Sequence, residues 1–256
     1  MVMFYFSATG NSKYIAELFC SHMHAKCHSI EEDIDFARLM DTEEVIGFCY
    51  PIFGSRVPRL LREFAVKHMA SLENKKLVIF CTQMFFSGDG ARAFTDVFPD
   101  GFVEVIYAEH FLMPNNVCNL FLTPLGSDEK NRTYLVKAQK KMRAVCGDIK
   151  SGIVKKRGFN PASRALGLMQ GAFLPGIEKR AKEKVWIGED CNQCGLCVAI
   201  CPMNNFASGN EGIAAKGDCM MCYRCINRCP KKAISVFLRG KVKAQYAGLP
   251  KGAPGR

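Results

Sequence analysis

Val2-Met3-Phe4-Tyr5-Phe6-Ser7-Ala8-Thr9-Gly10-Asn11-Ser12 is the stretch on which the fold turns. Five apolar or aromatic residues in a row suit a strand buried on both faces, as in a parallel sheet. From Asn11 the period changes, and Tyr14, Ile15, Leu18 and Phe19 fall on one face of a helix. Between strand and helix, Ser7 to Ser12 crowds hydroxyls and an amide into a short turn. Such a turn gathers backbone N–H groups and the positive helix end around an anion. Ser7, Thr9, Asn11 and Ser12 offer side-chain donors, and Gly10 permits a tight backbone. The loop is neither G-x-G-x-x-G nor a Walker loop, because it lacks Gly-Lys-Ser/Thr. A capped helix after a strand is the plainer reading of the same residues.

Outward from this turn, apolar runs predict strands near 2–6, 25–30, 44–50, 76–82 and 103–109. Helical periodicity covers 11–22, 57–69, 89–97 and 128–148, and the helix after the second strand is expected to be short. The turn resembles the FMN-phosphate loop of flavodoxins. That resemblance implies a doubly wound α/β sheet in the order 2-1-3-4-5, with FMN at the switch point. Two later loops then take the flavin ring. Pro51, Ile52, Phe53 and Gly54 would pass beside it, with Gly54 able to reorient a peptide on reduction. Thr82, Gln83, Met84, Phe85, Phe86, Gly88 and Asp89 would hold the ring edge. The single tryptophan, Trp186, is remote in sequence, so Phe53, Phe85 or Phe86 would have to stack on the ring. His110 and Asp89 are the polar residues suspected near a substrate pocket. No acid–base catalyst is identifiable.

At the other end, eight of the fourteen cysteines form two copies of one spacing, Cys191-x-x-Cys194-x-x-Cys197-x-x-x-Cys201-Pro202 and Cys219-x-x-Cys222-x-x-Cys225-x-x-x-Cys229-Pro230, offset by 28 residues. A [4Fe–4S] cube needs four thiolates converging from one small pocket. Zinc uses a single set of four ligands, and a disulfide framework needs an oxidising compartment. Residues 186–238 resemble a two-cluster ferredoxin of the bacterial type, a small α+β domain opened by Val185–Ile187 and closed by a strand over 233–237. In such ferredoxins the fourth cysteine of each run ligates the other cluster. The resemblance therefore implies one cluster on Cys191, Cys194, Cys197 and Cys229, and the other on Cys219, Cys222, Cys225 and Cys201.

With 256 residues, 48% of them apolar, the chain can bury two cores. We divide it into an FMN domain (1–150), a helical linker packing between domains (151–184), the ferredoxin domain (185–240) and a flexible Gly-Lys-Pro-rich tail (241–256). Gly167-x-x-x-Gly171 resembles a membrane helix-packing motif on a segment too short to span. The net charge of +11 is uneven: residues 1–150 carry 17 basic and 18 acidic side chains, and 151–187 carry 8 and 2. Two oxidised clusters and the FMN phosphate would lower the total to about +5. Nothing resembles a nucleic-acid motif, no apolar run is long enough for a membrane span, and no signal peptide is expected. Thiolate-ligated clusters point to the cytoplasm. Cys20, Cys27, Cys49, Cys81, Cys118 and Cys146 read as small buried hydrophobes.

Taken together, the phosphate loop, the Pro51–Pro58 loop, the Ser87-Gly88-Asp89 loop, Met113-Pro114-Asn115 and both cysteine runs resemble the EFR-family ferredoxins, in which a flavodoxin-like domain is fused to a two-cluster ferredoxin. The resemblance implies an electron-transfer iron–sulfur flavoprotein, a carrier or a reductase of a small or protein acceptor, and the basic excess suggests an acidic redox protein, such as a ferredoxin or flavodoxin, as partner. The other class left open is a non-catalytic, partner-binding module with structural clusters and no flavin.

Overall fold

The computed structural model describes residues 1–53, 55–119 and 124–250. Its first part runs β1 (Val2–Tyr5), α1 (Asn11–Met23), β2 (Lys26–Ser29), α2 (Phe36–Asp41), β3 (Val45–Pro51), α3 (Arg59–Lys67), α4 (Met69–Leu72), β4 (Lys76–Gln83), a 3-10 turn (Arg92–Val97), β5 (Glu104–Leu112), α5 (Asp128–Lys150) and β6 (Lys155–Lys156). The strands form one parallel sheet in the order β2-β1-β3-β4-β5-β6. Alternation along β1 splits the core in two. Val2, Phe4 and Phe6 face one side with Phe36, Leu61 and Phe64 from α2 and α3. Met3 and Tyr5 face the other, with Ile15 and Phe19 of α1 and Leu135 and Met142 of α5. Apolar helix faces cover both sides, as a doubly wound sheet requires.

The order expected for the first five strands holds, and a sixth is added. Lys155 and Lys156 pair with Tyr107 and Ala108, so the sheet continues beyond residue 150. The expected helix over 89–97 is a 3-10 turn, and that over 57–69 is broken at His68.

Next come α6 (Pro161–Gly171) and α7 (Leu174–Glu183), then β7 (Val185–Ile187), α8 (Leu196–Ile200), β8 (Phe206–Gly209), β9 (Gly212–Ala215), α9 (Arg224–Arg228) and β10 (Ile234–Val236). β7 and β10 pair antiparallel, as do β8 and β9. The 28-residue sequence offset recurs in the backbone: Gln193, Gly195 and Asn204 have φ of 55°, 73° and 49°, and Met221, Tyr223 and Lys232 have 59°, 63° and 53°.

One expectation is corrected. A flexible tail is expected over 241–256, but within its described part Val242, Tyr246 and Leu249 are buried. Val242 joins the core of the small domain and Leu249 that of the α1/α5 side. Three apolar side chains, spaced along an otherwise Gly- and Lys-rich stretch, strap one domain to the other.

Candidate functional site

At the carboxyl ends of β1, β3, β4 and β5 lies a cavity of about 300 Å³. Its floor is the β1–α1 loop (Ser7, Ala8, Thr9, Asn11, Ser12), with Pro51, Ile52 and Phe53 after β3 and Thr82, Gln83 and Met84 at the end of β4. This is the reversal point of the strand order, where open α/β sheets bind ligands. Gly10 starts α1 at φ 104°, a conformation that favours glycine, and no side chain caps the helix. The first N–H groups of a 13-residue helix are thus left for a ligand.

The loop is held from several directions. Ser12 Oγ and Thr82 Oγ1 are 2.8 Å apart, and Asn116 Nδ2 donates to Thr9 Oγ1 at 2.9 Å. Asn11 Nδ2 donates to the Pro114 carbonyl, and the Tyr246 hydroxyl donates to Asn11 Oδ1, each at 2.8 Å. Asn11 therefore braces the loop with both ends of its amide, leaving the hydroxyls of Thr9 and Ser12 as the better anion donors. Among the described residues, Gln83 Oε1 is buried at the cavity wall without a hydrogen-bond partner. A ring edge bearing an N–H would satisfy it. An apolar slot with anion donors at one end and an orphan acceptor on the wall fits a flavin mononucleotide.

The other expected ring contacts stand apart from these walls. Phe85 and Phe86 are exposed. Gly88 and Asp89 are buried against α6, where a Cβ on Gly167 would fall 1.6 Å from Asp89 Oδ1. The loop turns away because Arg92 Nε pulls on Asp89 Oδ2 at 2.7 Å, while Gly167 leaves space for the carboxylate. Gly54 lies outside the described residues. His110 is also buried off the cavity. The Ala91 N–H donates to His110 Nε2 at 3.2 Å, and Ser87 Oγ is 3.3 Å from Nδ1. Nε2 must then be bare, and burial, helped by Arg157, lowers the imidazole to about 4. It is a neutral structural group.

Sequence reasoning missed the ceiling. Pro114 to Val117, Leu174 and Ile177 of α7, and Met221, Tyr223 and Phe237 of the small domain close the cavity. Met221 and Tyr223 sit inside the second cysteine run. Arg224 continues the bridge: its guanidinium donates to the Ser7 and Ala8 carbonyls at 3.0 and 3.2 Å, and to the Ile200 carbonyl at 3.1 Å. It also makes a two-pronged pair with Glu31 at 2.6 Å. The loop around the cysteines thus grips the turn at the cavity floor.

Cysteines of the two runs lie close to one another. Cys201 lies near enough to Cys219, Cys222 and Cys225 that its charge, after the larger effect of burial, raises their pKa. Cys191 and Cys229 act likewise on Cys197. The repeat extends to hydrogen bonds, since the Asn205 N–H donates to Cys201 Sγ and the Ala233 N–H to Cys229 Sγ, both at 3.3 Å. Burial pushes the Cys222 thiol up to about 12, so metal coordination is what would hold it as a thiolate. Among the described residues no three His, Cys, Asp or Glu side chains close on a single ion. Thiols spread over two loops suit clusters, where each sulfur caps its own iron.

Residues 2–116 match the Flavodoxin domain family, and residues 190–234 match the 4Fe-4S dicluster domain family. The chain is a flavodoxin-like domain joined to a dicluster ferredoxin domain. A flavodoxin domain implies FMN, and a dicluster domain implies 4Fe–4S clusters. Over 42 residues, 16% of the chain, it is 50% identical to the polyferredoxin protein FwdF of Methanocaldococcus jannaschii, of which the match spans 11%. The two-electron reduced flavodoxin of Megasphaera elsdenii is 23% identical with a TM-score of 0.37, over 43% of this chain and 85% of that one. Among the described residues, no helix is long and apolar enough to cross a membrane.

Proposed function

We propose that this protein passes electrons between two [4Fe–4S] clusters and an FMN held in the cavity, as a carrier or as the reductase of a small or protein acceptor. The observation that carries the reading is that Met221 and Tyr223, inside the second cysteine run, are themselves walls of the cavity. When bound, FMN supplies two-electron chemistry and each cluster one-electron transfer.

The α1 N-terminus with Ser7, Thr9, Gly10 and Ser12 holds the phosphate, and Asn11 fixes their turn. Pro51, Ile52, Phe53, Thr82, Gln83 and Met84 orient the ring. Cys219, Cys222, Cys225 and Cys201 bind the cluster beside it. Cys191, Cys194, Cys197 and Cys229 bind the other, and exposed Cys194 marks the side open to an external, acidic redox partner in the cytoplasm. The Asn205 and Ala233 N–H groups, donating to the sulfurs of Cys201 and Cys229, tune the potentials. In this reading the domains meet at α6 and α7, with the flavin domain extended through β6 and the strap over 242–249.

Anaerobic purification with iron, sulfide and FMN quantified, followed by reductive titration watched optically and by EPR, tests the reading. About eight irons and one FMN per chain, with the flavin bleaching as reduced clusters reoxidise, are expected. Eight irons without flavin would leave the partner-binding module instead. Replacing Thr9 and Ser12 by Ala should weaken FMN binding and leave iron content intact.

A further inference from the structure

Helix α6 is inside out. Its buried face carries Gly167 and Gly171, which lie against Asp89 and Arg56, and Gln170, whose amide accepts from Ser55. Its outer face, with the turn that follows, carries Ala165, Leu168, Met169, Ala172 and Phe173, all exposed, Phe173 at 71%. An ordinary surface helix shows the opposite arrangement. Nearby stand two more exposed aromatics, Phe85 and Phe86. Their loop lies along α6, since a Cβ on Gly88 would fall 2.6 Å from the Gly167 nitrogen.

Charge says what covers this face. Lys155, Lys156, Arg157 and Arg164 precede or open the helix, and Lys179, Arg180, Lys182 and Lys184 follow it; Lys155, Arg157 and Lys182 pair with Asp148, Glu109 and Asp218. The two acidic residues of this segment are Glu178 and Glu183, and Glu178 is 3.6 Å from Arg62. Residues 151–187 thus carry +6, whereas residues 1–150 carry −1. The one exposed polar side chain of α6 is Arg164, itself a cation, and the rest of its outer face is apolar. An apolar helical face flanked by cations is the pattern that enters the interfacial layer of an anionic bilayer. The 12 residues from Ala162 to Phe173 extend about 18 Å as helix, too short to span and suited to lie in the plane.

We propose that α6 docks this protein on an anionic membrane surface, with Leu168, Met169 and Phe173 inserted and the flanking cations on the headgroups. Leu174 and Ile177, which close the cavity, belong to the adjoining α7, so docking brings the cavity to the lipid boundary. The inference concerns the surface and stands apart from cofactor content.

The test is sedimentation of the purified holoprotein with phosphatidylcholine vesicles, with and without phosphatidylglycerol. Binding is expected only with the anionic lipid. It should fall at least tenfold when Leu168, Met169 and Phe173 are replaced together by Ser, and also when Lys179 and Arg180 are replaced by Glu. Iron and FMN content should stay unchanged in every variant, because all five side chains point outward. No binding to anionic vesicles, or binding indifferent to the triple Ser change, overturns the proposal. So does light scattering that shows a dimer abolished by the triple change, since a second copy would then be the occupant. Capture of an acidic redox protein by this face in place of vesicles would likewise refute it.

Discussion

Tyr223 occupies the left-handed region at φ 63°, where its counterpart in the first repeat is Gly195 at φ 73°. A non-glycine residue there costs roughly 1–2 kcal/mol. The cost is tolerated because the ring is 7% exposed and forms part of the cavity ceiling. Two substitutions separate strain from packing. Tyr223→Ala loses the buried ring, about 3–5 kcal/mol, and keeps the strain. Tyr223→Gly loses the ring but relieves the strain, partly offset by roughly 0.5–1 kcal/mol of extra glycine chain entropy. The Gly variant should therefore be the more stable by about 1 kcal/mol, roughly a fivefold difference in the unfolding equilibrium. Gly195→Ala is the matching control, since a Cβ there meets nothing within 4 Å, and it should cost about 1 kcal/mol from strain alone. Anaerobic urea unfolding followed by cluster absorbance gives the ranking. Flavin release from both Tyr223 variants should be faster than from wild type. An Ala variant as stable as the Gly variant, or a neutral Gly195→Ala, would show that the backbone strain is not there. Unchanged flavin release would refute the ceiling.

Three further outcomes follow from the same geometry. Tyr246→Phe removes the hydrogen bond to Asn11 Oδ1, worth about 1 kcal/mol; fluorimetric titration of the apoprotein should show FMN affinity down about fivefold, with iron content unchanged. Cys201→Ala should abolish the cluster capped by Cys219, Cys222 and Cys225 and spare its sequence neighbour, and EPR that shows the opposite loss would overturn the crossed grouping. His110, held at about 4 in the folded state against an ordinary 6.5, binds its proton in the unfolded chain first. Stability should be full above pH 6.5 and fall as pH drops towards 4, by about 3 kcal/mol. His110→Gln should flatten that slope, and an equal slope in the variant would assign it elsewhere.

The sheet was legible because its central strands are apolar runs flanked by helical periods, a signal carried locally. β6 was not, because a two-residue pairing of exposed lysines leaves no hydrophobic trace. The Thr9 and Ser12 end of the site could be read from residue type alone. Gly88 and Asp89 could not be placed, since a Gly-Asp-Gly loop looks the same whether it cups a ring or buries its carboxylate against Gly167. The cavity ceiling escaped for a related reason. Leu174, Tyr223 and Phe237 come from three elements distant in sequence, and only docking of the domains brings them together. The strap was hidden by composition, although Val242, Tyr246 and Leu249 were the available signal.

Comparing the two repeats argues that their clusters are not interchangeable. The backbone is the same unit used twice, down to paired positive φ values and N–H···S bonds. What differs is the side chains on the loop between the first and third cysteines. The first copy has Gln193, Gly195 and Leu196, with Cys194 exposed. The second has Met221, Tyr223 and Arg224, which line the cavity or grip its floor, with Cys222 buried. Substituting Gln, Gly and Leu at Met221, Tyr223 and Arg224 would keep the cysteine spacing while removing two cavity walls and the guanidinium bridge to Ser7 and Ala8. Such a protein should still hold iron but lose the coupling between cluster reduction and flavin bleaching. If the coupling survived intact, the route to the flavin would not run through the second run, and the assignment of an inner and an outer cluster would fall with it.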